Sequence, residues 1–205
     1  MGAPGAGYPL AWAVQSWLPG NVATPKSPGN DSAFAGDLVA LIKGLRSADT
    51  KGGGFSGSGR GGRLSSHDAW MEKCFRESES LLDAPRLRAM WSRLRELPSA
   101  GPDVMSHKDL TPANLLVRGG RLAGVLDGGG YGPADPALDL VAAWHLLDEK
   151  PRHILRHSLG CTDIEWARGT AWALEQSMRL VWYYRETNPK MSELGRSTLQ
   201  RILDS

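Results

Sequence analysis

The sequence predicts an α+β fold that is mainly helical and contains one small β-hairpin. Apolar residues recur at helical spacing through most of the chain, which indicates amphipathic helices. Two short apolar runs flank the Gly-Gly pair at residues 119–120, which is typical of a hairpin turn. A chain of 205 residues is also long enough to bury one sizeable core.

Helices are predicted on both sides of the hairpin. Asp31 is a suitable N-cap for the first helix, in which Phe34 and Leu38 begin the apolar face. Pro85 suits the first turn of a later helix, where its missing N–H costs nothing. The spacing predicts the other helices over residues 67–82, 136–147, 163–185 and 189–203.

Two acids and an amide surround the hairpin at a spacing that suits phosphoryl transfer. Asp109 and Asn114 are five residues apart before the first apolar run, and Asp127 ends the second run. Transfer of a γ-phosphoryl group spreads negative charge over several oxygens, which Mg²⁺ neutralises. Since Mg²⁺ takes one or two protein oxygens, Asn114 and Asp127 are its candidate ligands. Asp109 is then the candidate base that orients an acceptor hydroxyl.

The predicted hairpin explains how these residues can meet. Pairing of residues 114–117 with residues 121–127 across the glycine turn returns Asp127 to the side of Asn114. The plainer interpretation is an ordinary turn acid and a strand-edge amide. The convergence of three oxygen-bearing side chains favours the phosphoryl-transfer site.

These residues resemble the signature of the aminoglycoside phosphotransferase family, the kinase-like small-molecule phosphotransferases. The matching positions are His107, Asp109, Asn114, Asp127 and the run DPALDL at residues 135–140. The resemblance implies a protein-kinase-like C-terminal helical lobe with a small β-hairpin that carries the metal site. It implies Asp109 as catalytic base, and Asn114 and Asp127 as Mg²⁺ ligands. His107 would support the catalytic loop, and Asp139 would brace it as a buried acid.

Two positions depart from the family pattern. Lys108 stands where members commonly have Gly, and Gly128 stands where they commonly have an aromatic residue. Lys108 places a cation next to the base, and Gly128 removes a packing anchor from the metal loop. Neither change removes a metal ligand. We therefore expect the two changes to affect the rate of phosphoryl transfer more than the type of site.

The segment of residues 7–23 resembles the last strand of a kinase-like N-terminal lobe and the hinge that follows it. On this comparison residues 1–20 are the remnant of that lobe, and residues 21–205 are the helical lobe. The predicted hinge, whose backbone would bind the adenine of ATP or the base of GTP, is formed by Ser16, Trp17 and Leu18. We therefore expect a phosphotransferase shortened at its N-terminus, without most of that lobe or its phosphate clamp.

Residues 48–66 are rich in glycine and serine, and this composition predicts a flexible loop. Its glycines twice match the spacing G-x-G-x-x-G. A dinucleotide-binding turn follows a strand, whereas this segment follows a predicted helix, so we prefer chance spacing. Arg60 and Arg63 are interpreted as solvated charges rather than phosphate ligands.

Composition argues against several other classes of protein. A formal net charge of +2 does not favour a nucleic-acid-binding protein, and no apolar stretch approaches the ~18 residues of a membrane span. The N-terminus lacks the pattern of a signal peptide. Cys74 and Cys161 fit reduced thiols better than a disulfide scaffold, so we expect a cytoplasmic protein.

The sequence thus predicts an ATP-dependent phosphotransferase that acts on a hydroxyl of a small molecule. The alternative is an inactive remnant that binds a ligand or partner without transferring phosphate, because the phosphate clamp is absent. An exposed apolar surface is expected on the hinge side, where copies of the chain would associate. The sequence does not select the acceptor.

Overall fold

Helices predominate over strands in a fold that also has two small sheets, in agreement with the predicted α+β, mainly helical class. The computed structural model describes residues 1–14, 16–26, 28, 30–57 and 59–205. In that part of the chain the helices are α1 (Ser32–Arg46), α2 (Asp68–Glu77), α3 (Ala84–Leu94), α4 (Val141–Leu146), α5 (Glu149–Leu159), α6 (Asp163–Tyr183) and α7 (Pro189–Leu203).

Both sheets are antiparallel and built from short strands. The strands are β1 (Asn21–Val22), β2 (Val104–Ser106), β3 (Leu115–Arg118), β4 (Arg121–Val125) and β5 (Gly132–Ala134). One sheet has the order β1-β3-β4, and the other pairs β2 with β5. The β3–β4 pair is the predicted hairpin. Gly119 and Gly120 turn it with φ values of 58° and 77°, which glycine adopts without steric cost.

The predicted helix signals are confirmed at several helix ends. The Asp31 carboxylate accepts a hydrogen bond from the backbone N–H of Ala33 at 2.7 Å and so caps α1. Pro85 lies in the first turn of α3. The last predicted helix, residues 189–203, coincides with α7.

Other predicted boundaries are wrong. The helix predicted over residues 67–82 ends at Glu77, where Ser78 N–H bonds the carbonyls of both Cys74 and Phe75 and tightens the last turn. The helix predicted over residues 136–147 is a 3₁₀ turn, Leu138–Leu140, followed by α4.

Helix α5 was not predicted, because its buried face is partly charged. Arg152 is buried, and its guanidinium lies 4.7 Å from the centre of the Trp144 ring. A cation on the inner face interrupts the apolar periodicity that signals a helix in the sequence.

The predicted last strand of an N-terminal lobe is not formed in the described residues of that segment. They contain two isolated bridges, Gly2 with Trp12 and Gly5 with Tyr8, before β1 joins the hairpin. An extended segment becomes a strand when a neighbour pairs with its backbone, and residues 7–14 and 16–18 lie outside both sheets.

Helix α6 runs through the core and packs against α2, α3, α4 and α7. Its Trp172 is among the largest fully buried side chains, together with Trp144 and Phe34. Gly195 lets α7 approach closely, since a Cβ there would lie 2.8 Å from the Ser177 carbonyl oxygen. By length and hydropathy, none of the helices within the described residues qualifies as a membrane-spanning segment.

Candidate active site

The loop between β2 and β3 carries Asp109 and ends in a 3₁₀ turn, Pro112–Asn114. Asn114 Nδ2 donates to Asp109 Oδ2 at 3.0 Å and to the Asp109 carbonyl oxygen at 2.9 Å. These bonds fix the amide orientation, so Asn114 Oδ1 is the free end and accepts no side-chain hydrogen bond from the described residues. The Asp109 side chain is 43% exposed and can be reached from solvent.

The hairpin returns Asp127 to the end where Asn114 lies. Leu126 N–H donates to the Asn114 carbonyl oxygen at 2.8 Å, which extends the β3–β4 pairing by one residue. Asp127 follows in the left-handed region (φ 57°, ψ 50°) with its side chain exposed, and a 3₁₀ turn, Gly128–Gly130, comes next. The sequence prediction that the hairpin brings these two residues to one end is confirmed.

The oxygens at this end suit a hard cation. Among the described residues no cluster of three or more His, Cys, Asp or Glu side chains could hold a metal ion. Mg²⁺ needs no such cluster, because it completes its octahedron with phosphate and water oxygens. The amide oxygen of Asn114 and the carboxylate of Asp127 are therefore ligands of the type that Mg²⁺ takes beside phosphate oxygens.

Asp139 lies beneath the loop in the 3₁₀ turn Leu138–Leu140. Its buried carboxylate accepts from Ser106 Oγ at 2.9 Å and from the His107 N–H at 3.2 Å. Ser106 Oγ in turn accepts from the Lys108 N–H at 2.9 Å. Burial raises the pKa of Asp139 above its ordinary value. The hydrogen bonds from Ser106 and His107 lower this pKa, but burial has the larger effect.

His107 connects the loop to the end of β4. Its Nε2 lies 2.9 Å from the Leu126 carbonyl oxygen, so this nitrogen carries the proton. Its Nδ1 is buried and has no partner among the described residues. His107 thus links the residue before Asp127 to the loop that bears Asp109.

Two residues outside the predicted site, Gln176 and Arg60, contact Asp109. Gln176 Nε2, on α6, donates to Asp109 Oδ1 at 3.2 Å. Arg60 Nη2 lies 3.4 Å from the same oxygen, and Arg60 Nη1 lies 3.7 Å from the buried Glu175 carboxylate. The interpretation of Arg60 as a solvated charge is wrong. The available sequence signal was a polar pair, residues 175–176, that directly follows the apolar run of residues 171–174 in α6.

The glycine-rich segment is held against the site at several points. Phe55 N–H donates to Asp103 Oδ2 at 2.7 Å, and the Gly61 carbonyl oxygen accepts from the Asp135 N–H at 2.8 Å. The Phe55 ring packs so closely that a Cβ on Gly62 would lie 2.8 Å from it. These contacts bring Arg60 over Asp109. The flexibility of residues 48–66 stays a prediction.

Asp135, which opens the run DPALDL, is a second buried acid with a structural role. Its carboxylate accepts from Arg168 Nε and from Trp172 Nε1, each at 2.8 Å, and from the Ala137 N–H at 2.9 Å. Arg168 is 33 residues downstream, so no local pattern could indicate the pair. The pair ties the turn that carries Asp139 to α6.

Comparison with protein families decides which family the chain represents. The model of the family described as "Phosphotransferase enzyme family" matches residues 1–172. The chain belongs to the phosphotransferase enzyme family. No curated protein sequence matches it.

Solved phosphotransferase structures share the fold of this family member. The GDP complex of aminoglycoside 2'-phosphotransferase-IIIa superposes with a TM-score of 0.62 at 15% identity, over 92% of this chain and 69% of that one. Macrolide 2'-phosphotransferase MphH from Brachybacterium faecium gives 0.55 at 18% identity, over 92% and 72%. The gentamicin complex of APH(2")-IIa gives 0.53 at 18% identity, over 92% and 72%. At these identities the likeness establishes the fold.

The predicted hinge of this phosphotransferase lies on the hairpin that carries the metal-site candidates. Ser16, Trp17 and Leu18 are exposed, and their backbone groups make no hydrogen bond to the described residues. Leu18 packs on β4, since a Cβ on Gly124 would lie 3.1 Å from Leu18 Cδ1. Among the described residues, the backbone groups of the predicted hinge are therefore unpaired beside the hairpin.

Proposed function

We propose that the chain is a phosphotransferase that moves the γ-phosphoryl group of ATP, or GTP, to a hydroxyl of a small molecule. The observation that carries the proposal is the hydrogen bond from Asn114 Nδ2 to Asp109 Oδ2 at 3.0 Å. This one hydrogen bond fixes the carboxylate of Asp109, and it also leaves Asn114 Oδ1 free to bind a metal. Membership of the phosphotransferase enzyme family supports the class of reaction.

Asp109 is the base in this proposal. Its Oδ1 accepts from Gln176 and faces Arg60, whereas its Oδ2 accepts from Asn114 and keeps a second lone pair. That lone pair accepts the hydrogen bond of the acceptor hydroxyl and orients the hydroxyl oxygen towards phosphorus. Since three donors fix the carboxylate, it needs little reorganisation during the reaction.

Asn114 and Asp127 hold Mg²⁺ through Oδ1 and the carboxylate. When bound, the ion neutralises charge that develops on the phosphoryl oxygens. His107 and Asp139 are loop supports, because one bonds the end of β4 and the other accepts two hydrogen bonds from the loop. Loss of either support is expected to displace Asp109 relative to the hairpin.

The nucleotide base binds at Ser16, Trp17 and Leu18. Their backbone donors and acceptors are free among the described residues, and the hinge packs on the hairpin through Leu18. A purine that pairs with this backbone would extend its phosphates along the hairpin towards the metal ligands. We assign the chain to the cytoplasm, where nucleoside triphosphates are available and where free thiols such as Cys74 and Cys161 persist.

The acceptor is a small molecule with a hydroxyl group. Solved structures with the same fold include APH(2") enzymes in complex with gentamicin and with kanamycin. These aminoglycosides are the first acceptors to test, and choline and homoserine represent other hydroxyl acceptors. No nucleic acid or membrane is required as a partner.

Transfer of radiolabelled γ-phosphate from ATP and from GTP to these acceptors tests the proposal. We expect Asp109→Asn to lower the rate roughly 10²-fold or more with an unchanged circular dichroism spectrum, because general-base help is lost. Glu186→Gln, at a site whose side chain is 85% exposed, is the matched control and keeps the parent rate. Parent-like transfer by Asp109→Ala and Asn114→Ala variants would overturn the assignment.

One observation favours an alternative, a module that binds nucleotide without transferring phosphate. Arg60 Nη2 lies 3.4 Å from Asp109 Oδ1, so this ion pair occupies one oxygen of the proposed base. Titration calorimetry with Mg²⁺ and ATP separates the two functions. Binding without transfer to any of the acceptors supports the module, and measurable transfer excludes it.

A further inference from the structure

We propose that Gln176 and His145 are positioning residues for Asp109, as members of a buried chain of hydrogen bonds that begins at Thr198. We call this series of hydrogen bonds the relay. It connects α7 to α4, α4 to α6, and α6 to the catalytic loop. The inference rests on the proposed function, which gives Asp109 its role as base.

Three short contacts make up the relay. Thr198 Oγ1 lies 2.8 Å from His145 Nδ1, and His145 Nε2 lies 2.9 Å from Gln176 Oε1. Gln176 Nε2 lies 3.2 Å from Asp109 Oδ1. Thr198 and His145 have no exposed surface, and Gln176 is 6% exposed. The relay is therefore shielded from water until it reaches the base.

The carboxylate of Asp109 sets the direction of the hydrogen bonds that lead to it. An ionised carboxylate only accepts, so the Gln176 NH₂ group faces Asp109 and its Oε1 faces His145. His145 Nε2 must then carry a proton and donate it to that oxygen. Burial lowers the pKa of His145 to about 4, so the ring is neutral and Nδ1 accepts from the Thr198 hydroxyl. The Leu194 carbonyl oxygen, to which the Thr198 hydroxyl also donates at 2.9 Å, competes with Nδ1 for the same proton.

The direction of the relay holds the base in one orientation. A flipped Gln176 amide would place its NH₂ group against the His145 N–H and leave both buried donors unpaired. The flip would also turn the amide oxygen towards Asp109, where two acceptors repel. Gln176 is thus kept as a donor to Oδ1, and Oδ2 is left to Asn114 and the acceptor hydroxyl.

Two histidine substitutions separate positioning from packing. A glutamine at His145 places its amide nitrogen near the position of Nε2 and can still donate to Gln176, whereas an asparagine reaches only the region of Nδ1. Both variants bury one neutral amide in the same site. We expect His145→Gln to keep kcat within about threefold of the parent, and His145→Asn to lose roughly tenfold or more, with KM for ATP unchanged in both.

Equal kcat values in the two variants, or a loss that appears in KM for ATP, would overturn the proposal. A second measurement does not depend on activity. Long-range ¹H–¹⁵N spectra of the imidazoles in the whole chain are expected to report His145 as the neutral ring with the proton on Nε2 at pH 7. A proton on Nδ1, or a doubly protonated ring, contradicts the relay.

The two measurements also separate the relay from the proposed function. If the parent chain transfers no phosphate, the proposed function fails, and with it the role of the relay in positioning a base. The spectra then decide whether the hydrogen bonds themselves exist. If the parent transfers phosphate but the spectra place the His145 proton on Nδ1, the proposed function is retained and the relay is rejected.

Discussion

Lys108 adopts a backbone conformation that a side chain makes costly. Its φ of 67° lies in the left-handed region, where Cβ approaches the neighbouring carbonyl oxygen. Its Nζ recovers part of this cost, since it lies 5.7 Å from the centre of the Phe55 ring. A glycine at this position, as the family pattern has it, would avoid the strain next to the base.

We therefore expect Lys108→Gly to raise the free energy of unfolding by about 0.5–1 kcal/mol, because the relieved strain exceeds the lost contact. Lys108→Ala is the matched control, since it loses the contact but keeps the strain, and it is expected to lower the free energy of unfolding. Urea unfolding measures both variants. Equal effects of glycine and alanine would contradict the account of this position.

His145 predicts how stability depends on pH. Its pKa is about 4 in the folded protein and 6.5 as a free side chain, so protons bind the unfolded state more tightly. This histidine therefore stabilises the fold above pH 6.5, and its contribution is lost as the pH falls from 6.5 to about 4. The loss over this whole pH range amounts to about 3 kcal/mol.

Urea unfolding of the parent and the His145→Gln variant across this pH range tests the prediction. The variant is expected to lose less stability on acidification than the parent. The same substitution at His153, an exposed side chain on α5, is the matched control. Parallel curves for the parent and His145→Gln would show that His145 is not buried as a neutral ring.

The sequence predicts contacts between site residues that are close together in the sequence. It does not predict contacts between residues that are far apart in the sequence. Asp109 and Asn114 were found because they share one loop, and their hydrogen bond is present. Gln176 was missed and Arg60 was interpreted wrongly, because they are 67 and 49 positions away from Asp109 in the sequence. Buried polar contacts of that kind depend on helix packing, which one sequence does not reveal.

At the scale of elements, the β3–β4 hairpin sets the relation between Asn114 and Asp127. We expect Gly119→Val to destabilise the protein by about 1–2 kcal/mol, because a β-branched residue is strained at a φ of 58°. Gly119→Asn, which tolerates that conformation, is expected to cost much less. No atom lies within 4 Å of a Cβ at this position, so the two variants differ in stability only through their backbone conformational preferences. Equal unfolding free energies would contradict the turn geometry.

Elements with local signals were predicted well. The cap at Asp31, Pro85 in the first turn of α3 and the full range of α7 need no tertiary information. Helix α5 was missed because Arg152 occupies its buried face and stacks on Trp144. Tertiary contacts therefore determine the elements whose own periodicity is weak.

At the scale of the whole molecule, the described part of the N-terminal segment leaves apolar side chains exposed. The hinge surface consists of Leu10, Val14, Trp17 and Leu18, which are 62%, 84%, 90% and 42% exposed. Burial of such side chains against a second copy is favourable, so we expect the chain to self-associate through this surface at high concentration.

Sedimentation velocity across a concentration series measures this association. The double variant Val14→Ser, Trp17→Ser is expected to shift the chain towards monomer. Ile154→Ser, at an exposed site on α5, serves as the control and leaves association unchanged. A monomeric parent chain at the highest concentration would contradict the prediction.

The central claim is that Asn114 and Asp127 share one metal ion in front of the base Asp109. Anomalous diffraction from crystals of the chain grown with Mn²⁺ and a non-hydrolysable ATP analogue tests it directly. We predict a manganese peak about 2.1–2.3 Å from Asn114 Oδ1 and from an Asp127 carboxylate oxygen. A nucleotide-bound manganese ion that contacts neither side chain would contradict the account.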